Sequence, residues 1–171
     1  DVHETSVAWA MAMENDYSPT ALILSRQNVN NLPAGTDYEQ ARKGAYIVTG
    51  SDEDYDVIMV ASGSEVSTLV AGAELLRQEG IKTRIVSVPS EGVFRTQPIE
   101  YQQGIIPMGS KVFGLTAGLP VNLQGFLIGA QPESRIWGLD SFGFSAPYKV
   151  LDEKLGYTAQ NVYEQVKAML S

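Results

Sequence analysis

Read from its amino end, the chain sets short apolar runs against amphipathic stretches. Residues 4–15 carry Val7, Trp9, Met11 and Met13 among several alanines, apolar around most of a helical circumference. The segment is predicted to be a helix covered on more than one side. Residues 21–24 (ALIL) follow, bounded by Pro19 and by Ser25-Arg26-Gln27. Four apolar residues between polar neighbours read as a strand buried on both faces. No earlier strand is available to pair with it. Residues 1–26 therefore read as the helix-strand remnant of a neighbouring domain, expected to fray or to pack on another copy once that domain's sheet is absent. Residues 28–44 then change character, with Asn28, Asn30, Asn31, Pro33 and Gly35 and little apolar content, and read as an inter-domain linker.

Beyond the linker the period alternates between two and 3.6. Residues 46–48 and 55–61 (YDVIMVA) are predicted strands. Ser64 is a predicted helix cap, with Glu65 in the positive first turn. That helix reaches about residue 79, with Val66, Leu69, Val70, Ala73 and Leu76 on one face and Gly80 as its stop. Residues 81–88 (IKTRIVSV) complete a βαβ unit, whose crossover is right-handed by rule. Residues 89–107 read as two short helices, broken by Gly92, Pro98 and Gly104. Residues 111–116 and 135–139 are further strands, 119–129 has no firm assignment, and 145–147 opens a helix with Pro in its first turn. Thr158 caps a last helix striped by Val162, Val166 and Met169. The fold class is α/β: a three-layer sandwich around a mainly parallel sheet of about five strands, preceded by the helix-strand remnant.

Composition narrows the function classes. There is no cysteine, which excludes disulfides, thiolate metal sites and thiol nucleophiles. The single histidine, His3, reads as a solvated terminal side chain, so a Ser-His-Asp triad or two-histidine zinc site would need a second chain. Twenty acids against 12 bases give a net charge of −8, with no basic stripe to attract nucleic acid. No apolar run approaches the roughly 18 residues of a membrane helix, and no basic-then-apolar leader is visible, so neither a membrane nor secretion is expected and the setting reads as cytoplasmic. The first residue is Asp rather than Met, so the sequence reads as a segment of a longer one.

Arg26 is the leading candidate for chemistry. It stands at the carboxyl end of an apolar strand, where parallel sheets gather ligands, and a guanidinium grips phosphate or carboxylate with two parallel hydrogen bonds. Its competing role is an ordinary ion pair. The turn Ala61-Ser62-Gly63-Ser64-Glu65 has the strand-to-helix geometry that binds anions, but it lacks the glycine spacing of a nucleotide motif and Glu65 repels phosphate. A capped turn that binds nothing is its favoured reading. Asp52, Glu53, Asp54 and Asp56 lack the pattern of a calcium loop and read as solvated. In the stretch 138–147, Asp140 and Ser141 are more simply turn-closing and capping groups than ligand contacts.

These segments, in this order, resemble the C-terminal region of transketolase: ETSVAW (4–9), PTALILSRQN (19–28), KGAYIV (43–48), VASGSEVS (60–67), GIKTRIVSVPS (80–90), GLDSFGFSAP (138–147) and LGYTAQNV (155–162). The chain departs from the family pattern over about 116–134, where Thr116-Ala117-Gly118 stands in place of an acidic residue near a strand end. The resemblance implies a homodimeric parent that uses thiamine diphosphate and a divalent metal (Mg or Ca) to move a two-carbon ketol group from a ketose phosphate to an aldose phosphate. It implies that residues 1–27 end the pyrimidine-binding domain, 28–44 link, and 45–171 form the C-terminal domain. It makes Arg26 the substrate-phosphate-binding residue and assigns no catalytic, cofactor-binding or metal-ligating residue to this chain, whose partners are then sugar phosphates and its own N-terminal domains. The fragment alone is expected to be inactive and to bind no cofactor. Two other readings stay open: a non-catalytic regulatory or small-ligand-binding interaction module, with sites at 62–65 or 140–145, and the small subunit of a split enzyme.

Overall fold

The computed structural model describes residues 1–32, 37–50 and 54–171. In chain order its elements are helices α1 (Val2–Glu14) and α2 (Tyr38–Ala41), strands β1 (Tyr46–Thr49) and β2 (Val57–Ala61), helix α3 (Ser64–Gln78), strand β3 (Thr83–Ser87), helices α4 (Glu91–Arg95) and α5 (Ile99–Ile105), strands β4 (Val112–Leu115) and β5 (Arg135–Trp137), and helices α6 (Tyr148–Leu155) and α7 (Ala159–Leu170). A 3-10 helix, Pro120–Leu127, joins β4 to β5 and fills the stretch that the sequence left unassigned.

Every residue of β2 is buried, and β2 lies at the centre of a sheet ordered β1-β3-β2-β4-β5. β2, β3, β4 and β5 are parallel and only β1 runs antiparallel, on the edge beside β3. Alternation along the strands feeds two cores. Val57, Met59 and Ala61 face α3 and α7 with Leu69, Leu76, Val162 and Val166. Ile58 and Val60 face the other way, against Phe94, Ile105, Leu123 and Phe126. This is the three-layer, mainly parallel arrangement expected.

The order matters for function. From β2 the chain winds outward through α3 to β3, then crosses back over β2 through α4 and α5 to β4. The winding reverses between β2 and β4, so the crevice outside their carboxyl ends is the topological switch point, where ligands collect in such sheets.

Several local expectations change. Gly63, with φ 62°, occupies the cap position of α3 and has no side chain to cap with; Ser64 is the first residue of the helix, and its hydroxyl donates to Glu65. The stop at Gly80 is a Schellman turn, with Ile81 N–H donating to Leu76 O and Gly80 N–H to Arg77 O. The linker region 28–44 is not wholly superficial: it contains α2 and buries Leu32 and Ala41. Residues 21–24 form no strand. They are unpaired, with Ile23 93% exposed, because no described strand runs beside them to offer a ladder. The expectation that residues 1–26 lack a partner fails for the helix: α1 docks on the molecule's own sheet through Val7 and Glu4, both buried.

Candidate functional site: the segment bearing Arg26

Asp1 opens α1 with a capping box. Its carboxyl accepts from the backbone N–H of His3 and Glu4, while the Glu4 side chain reaches back to the Asp1 nitrogen. At the other end Asn15 turns the chain, its Nδ2 donating to Ser18 O at 3.0 Å and to Thr20 Oγ1 at 2.9 Å. Residues 21–29 then run back along the helix, and Leu32 N–H donates to Asp1 Oδ2 at 2.9 Å. The segment thus leaves one end of α1 and returns to the other. A groove of about 720 Å³ separates the two, with Ser62, Gly63 and Pro89 lining it at the carboxyl ends of β2 and β3.

Arg26 lies midway along this excursion. Its neighbour Ser25 abuts the β2–α3 turn, where a Cβ placed on Gly63 would stand 3.8 Å from Ser25 Oγ. Arg26 itself is exposed and, among the described residues, makes no hydrogen bond or ion pair. No surface ion pair to Arg26 forms among the described residues, and its neighbour Ser25 is what the structure sets against the β2–α3 turn.

The switch-point crevice is filled from within. Burial pushes the Glu65 carboxyl above the usual range, with nearby Asp152 pushing the same way. Hydrogen bonds from Ser64, its own backbone and the backbone of Ala117 pull against that rise. Asp152 is raised by its own burial. Tyr157, which donates to Thr116 O at 2.9 Å, is pushed up to about 12 by burial and then by the charges of Glu65 and Asp152. Glu65, in the first turn of α3, therefore sets the protein's own carboxyl beside the backbone of Ala117, just past β4. That opposes a phosphate at 62–65.

The stretch 138–147 does not close as its residues suggested. Leu139 N–H donates to Gly118 O at 2.9 Å, and α6 begins at Pro147 with no side-chain cap. Ser141 reaches only the Phe142 carbonyl, so Asp140 and Ser141 are not the capping groups expected of them; the backbone pairing replaces them. Phe142 is 98% exposed, and Lys154 sits 4.0 Å over the Phe144 ring. Of the acidic cluster, Asp54 pairs with the Lys82 ammonium and Asp56 accepts from Lys82 N–H at 2.8 Å, whereas Asp52 and Glu53 lie outside the described residues. His3 is tied rather than free: its Nδ1 lies 3.1 Å from the Tyr38 hydroxyl.

Sequence reasoning missed Glu4. Its Oε1 accepts from the Tyr46 hydroxyl at 2.9 Å and the Ser87 hydroxyl at 2.5 Å, within a buried pocket. The available signal was the D-x-x-E spacing of Asp1 and Glu4, which reads as a capping box.

Among the described residues no three His, Cys, Asp or Glu side chains converge as a metal ligand set. What the fold defines is a doubly wound α/β domain with an exposed arginine, Arg26, on a non-strand segment near the carboxyl ends of β2 and β3. Comparison with known proteins agrees. The family model for the transketolase-like TK C-terminal domain matches residues 44–158, and the chain belongs to that family. It is 37% identical over 172 residues to a transketolase of Staphylococcus aureus, covering 99% of this chain and 26% of that protein. It superposes on transketolase from Leishmania mexicana with a TM-score of 0.88 at 36% identity, over 99% of this chain and 24% of the other. Transketolase from Pichia stipitis in complex with sedoheptulose-7-phosphate gives a TM-score of 0.88 at 30% identity, with the same coverage. The chain spans about a quarter of the length of the curated relatives it matches.

Proposed function

We propose that this chain is the carboxyl-terminal part of a ketol-transferring enzyme of the transketolase class, and that it contributes Arg26 as the grip for the phosphate of the sugar substrate. One observation carries the reading: an exposed arginine without a partner, on an unpaired apolar segment seated at the carboxyl end of the sheet. The Pichia stipitis relative's complex with a sugar phosphate supports the substrate class. On this reading residues 1–27 complete a preceding pyrimidine-binding domain, 28–44 link, and 45–171 form the support domain, in keeping with the family match over 44–158. The active enzyme is a cytoplasmic homodimer. Thiamine diphosphate and its metal, held by the preceding domains, supply the carbanion chemistry; this chain holds the substrate's far end and orients it.

The test has two arms. Titrated calorimetrically, the 171-residue chain takes up no thiamine diphosphate with Mg²⁺ and transfers no ketol group. Exchanged for the corresponding region of the Staphylococcus aureus relative, it restores transfer from xylulose 5-phosphate to ribose 5-phosphate. Tight cofactor binding by the chain alone, or a folded but inactive exchange protein, would overturn the proposal.

A further inference from the structure

We propose that Glu4 is a positioning residue for Arg26: its carboxyl latches α1 onto the β1–β3 edge, and α1 holds both ends of the segment on which Arg26 stands. The role assigned to Arg26 rests on the function proposed above; the latch does not.

Tyr46 and Ser87 are direct partners in the antiparallel pairing of β1 with β3, so their side chains rise from the same face of the sheet. Both are almost wholly buried, and both donate to the same oxygen, Glu4 Oε1, while Oε2 accepts from the Asp1 nitrogen at 3.1 Å. Undocking α1 withdraws an acceptor that both hydroxyls share and leaves the wholly buried Ser87 hydroxyl without it, and a buried polar group left unmade is penalised more than a made one is rewarded.

Apolar packing anchors the helix through Val7, fully buried, and Met11, partly buried against the same core, whereas Val2, Trp9 and Met13 are exposed. The Glu14–Arg42 ion pair and the His3–Tyr38 contact are exposed and reach α2 rather than the sheet. To that apolar contact Glu4 adds a polar one, which is directional where apolar packing is not.

The connection to Arg26 is covalent and short. Asn15 fixes where the segment leaves α1, and the Asp1–Leu32 hydrogen bond fixes where it returns. Asp1 and Glu4 share the capping box, so the residue that receives the returning strand and the residue that grips the sheet are locked together. A shift of α1 displaces Arg26 relative to the β2–α3 turn.

The chain contains no cysteine, so spin labels can be placed cleanly at Arg26→Cys and Gln160→Cys, the latter exposed on α7. Pulsed-electron distance measurement on the 171-residue chain gives a narrow distribution for the parent. For Glu4→Ala the distribution broadens at least about twofold, while amide-exchange protection in β2 and β3 stays within about threefold of the parent. Glu4→Gln keeps an acceptor for both hydroxyls and restores most of the narrowness. The pair Tyr46→Phe with Ser87→Ala broadens the distribution as Glu4→Ala does. An unchanged distribution in Glu4→Ala, or broadening that comes only with collapse of sheet protection, would overturn the latch. No sugar phosphate enters the measurement, so failure of the phosphate role for Arg26 leaves its outcome untouched.

Discussion

Replacing Gly72 by alanine separates intrinsic helix preference from helix packing. Gly72 lies in the interior of α3, where glycine is disfavoured by about 1 kcal/mol relative to alanine, so propensity alone predicts a more stable protein. The structure predicts the opposite. A Cβ at this position would stand 2.5 Å from Val162 Cγ1, 2.9 Å from Val162 Cβ and 3.3 Å from Ala159 O. Val162 is fully buried on α7, and a β-branched side chain in a helix has one strongly preferred rotamer, so it cannot swing aside. The helices must part instead. Overpacking of this kind costs about 1–3 kcal/mol, which outweighs the gain in propensity. The net expectation is a loss of up to about 2 kcal/mol, or a fall in Tm of up to roughly 4–8 °C for a chain of this size. A double-mutant cycle by urea denaturation isolates the cause. Val162→Ala alone is destabilising through its cavity, but Gly72→Ala with Val162→Ala recovers at least about 1 kcal/mol over the additive sum, because the new methyl fills the vacated space. A raised Tm for Gly72→Ala, or additivity within about 0.5 kcal/mol, would refute the packing argument.

Two further expectations concern the filled crevice. Burial raises the pKa of Glu65, so between the ordinary value of 4.5 and the raised one the native state binds more protons than the unfolded chain, and stability falls as pH climbs through that window. Glu65→Gln removes the penalty, so its Tm advantage over the parent is absent near about pH 3.5 and grows towards about pH 7.5; a pH-independent difference would contradict the assignment. Asp152 is raised by burial alone and by the same sign argument Asp152→Asn gains on the parent as pH rises, with a smaller slope because Asp152 is the less enclosed acid.

The parts of the fold legible in the sequence were those written in contiguous residues. The run at 55–61, the amphipathic stretch beyond Ser64 and the stop at Gly80 each encode one element, and together they dictate a parallel unit with its helix on one face. Thr158 caps α7 as its position suggests, accepting from Asn161 N–H. The misreadings share a physical cause, which is that the deciding partner is distant in sequence. The apolar run 21–24 has every local property of a strand, yet a strand needs a neighbour, and none is present beside it. Ser64 has the chemistry of a cap, but the turn places Gly63 at the cap position and Ser64 one residue inside the helix. The grip of Glu4 on Tyr46 and Ser87 joins residues 42 and 83 positions away, and only the register of β1 on β3 brings those two hydroxyls together. Arg26 was legible as a cation closing an apolar run; its lack of a partner among the described residues was not.

The role of Arg26 is tested most directly by the Michaelis constants of Arg26→Leu in the exchange protein that carries this chain within the Staphylococcus aureus relative, measured with a phosphorylated and a phosphate-free ketose donor. Loss of a bidentate, charge-assisted grip on phosphate raises KM for the phosphorylated donor roughly 10- to 100-fold with kcat within about threefold, and leaves kcat/KM for the phosphate-free donor within about threefold. Equal losses for both donors, or no change for either, would contradict the account.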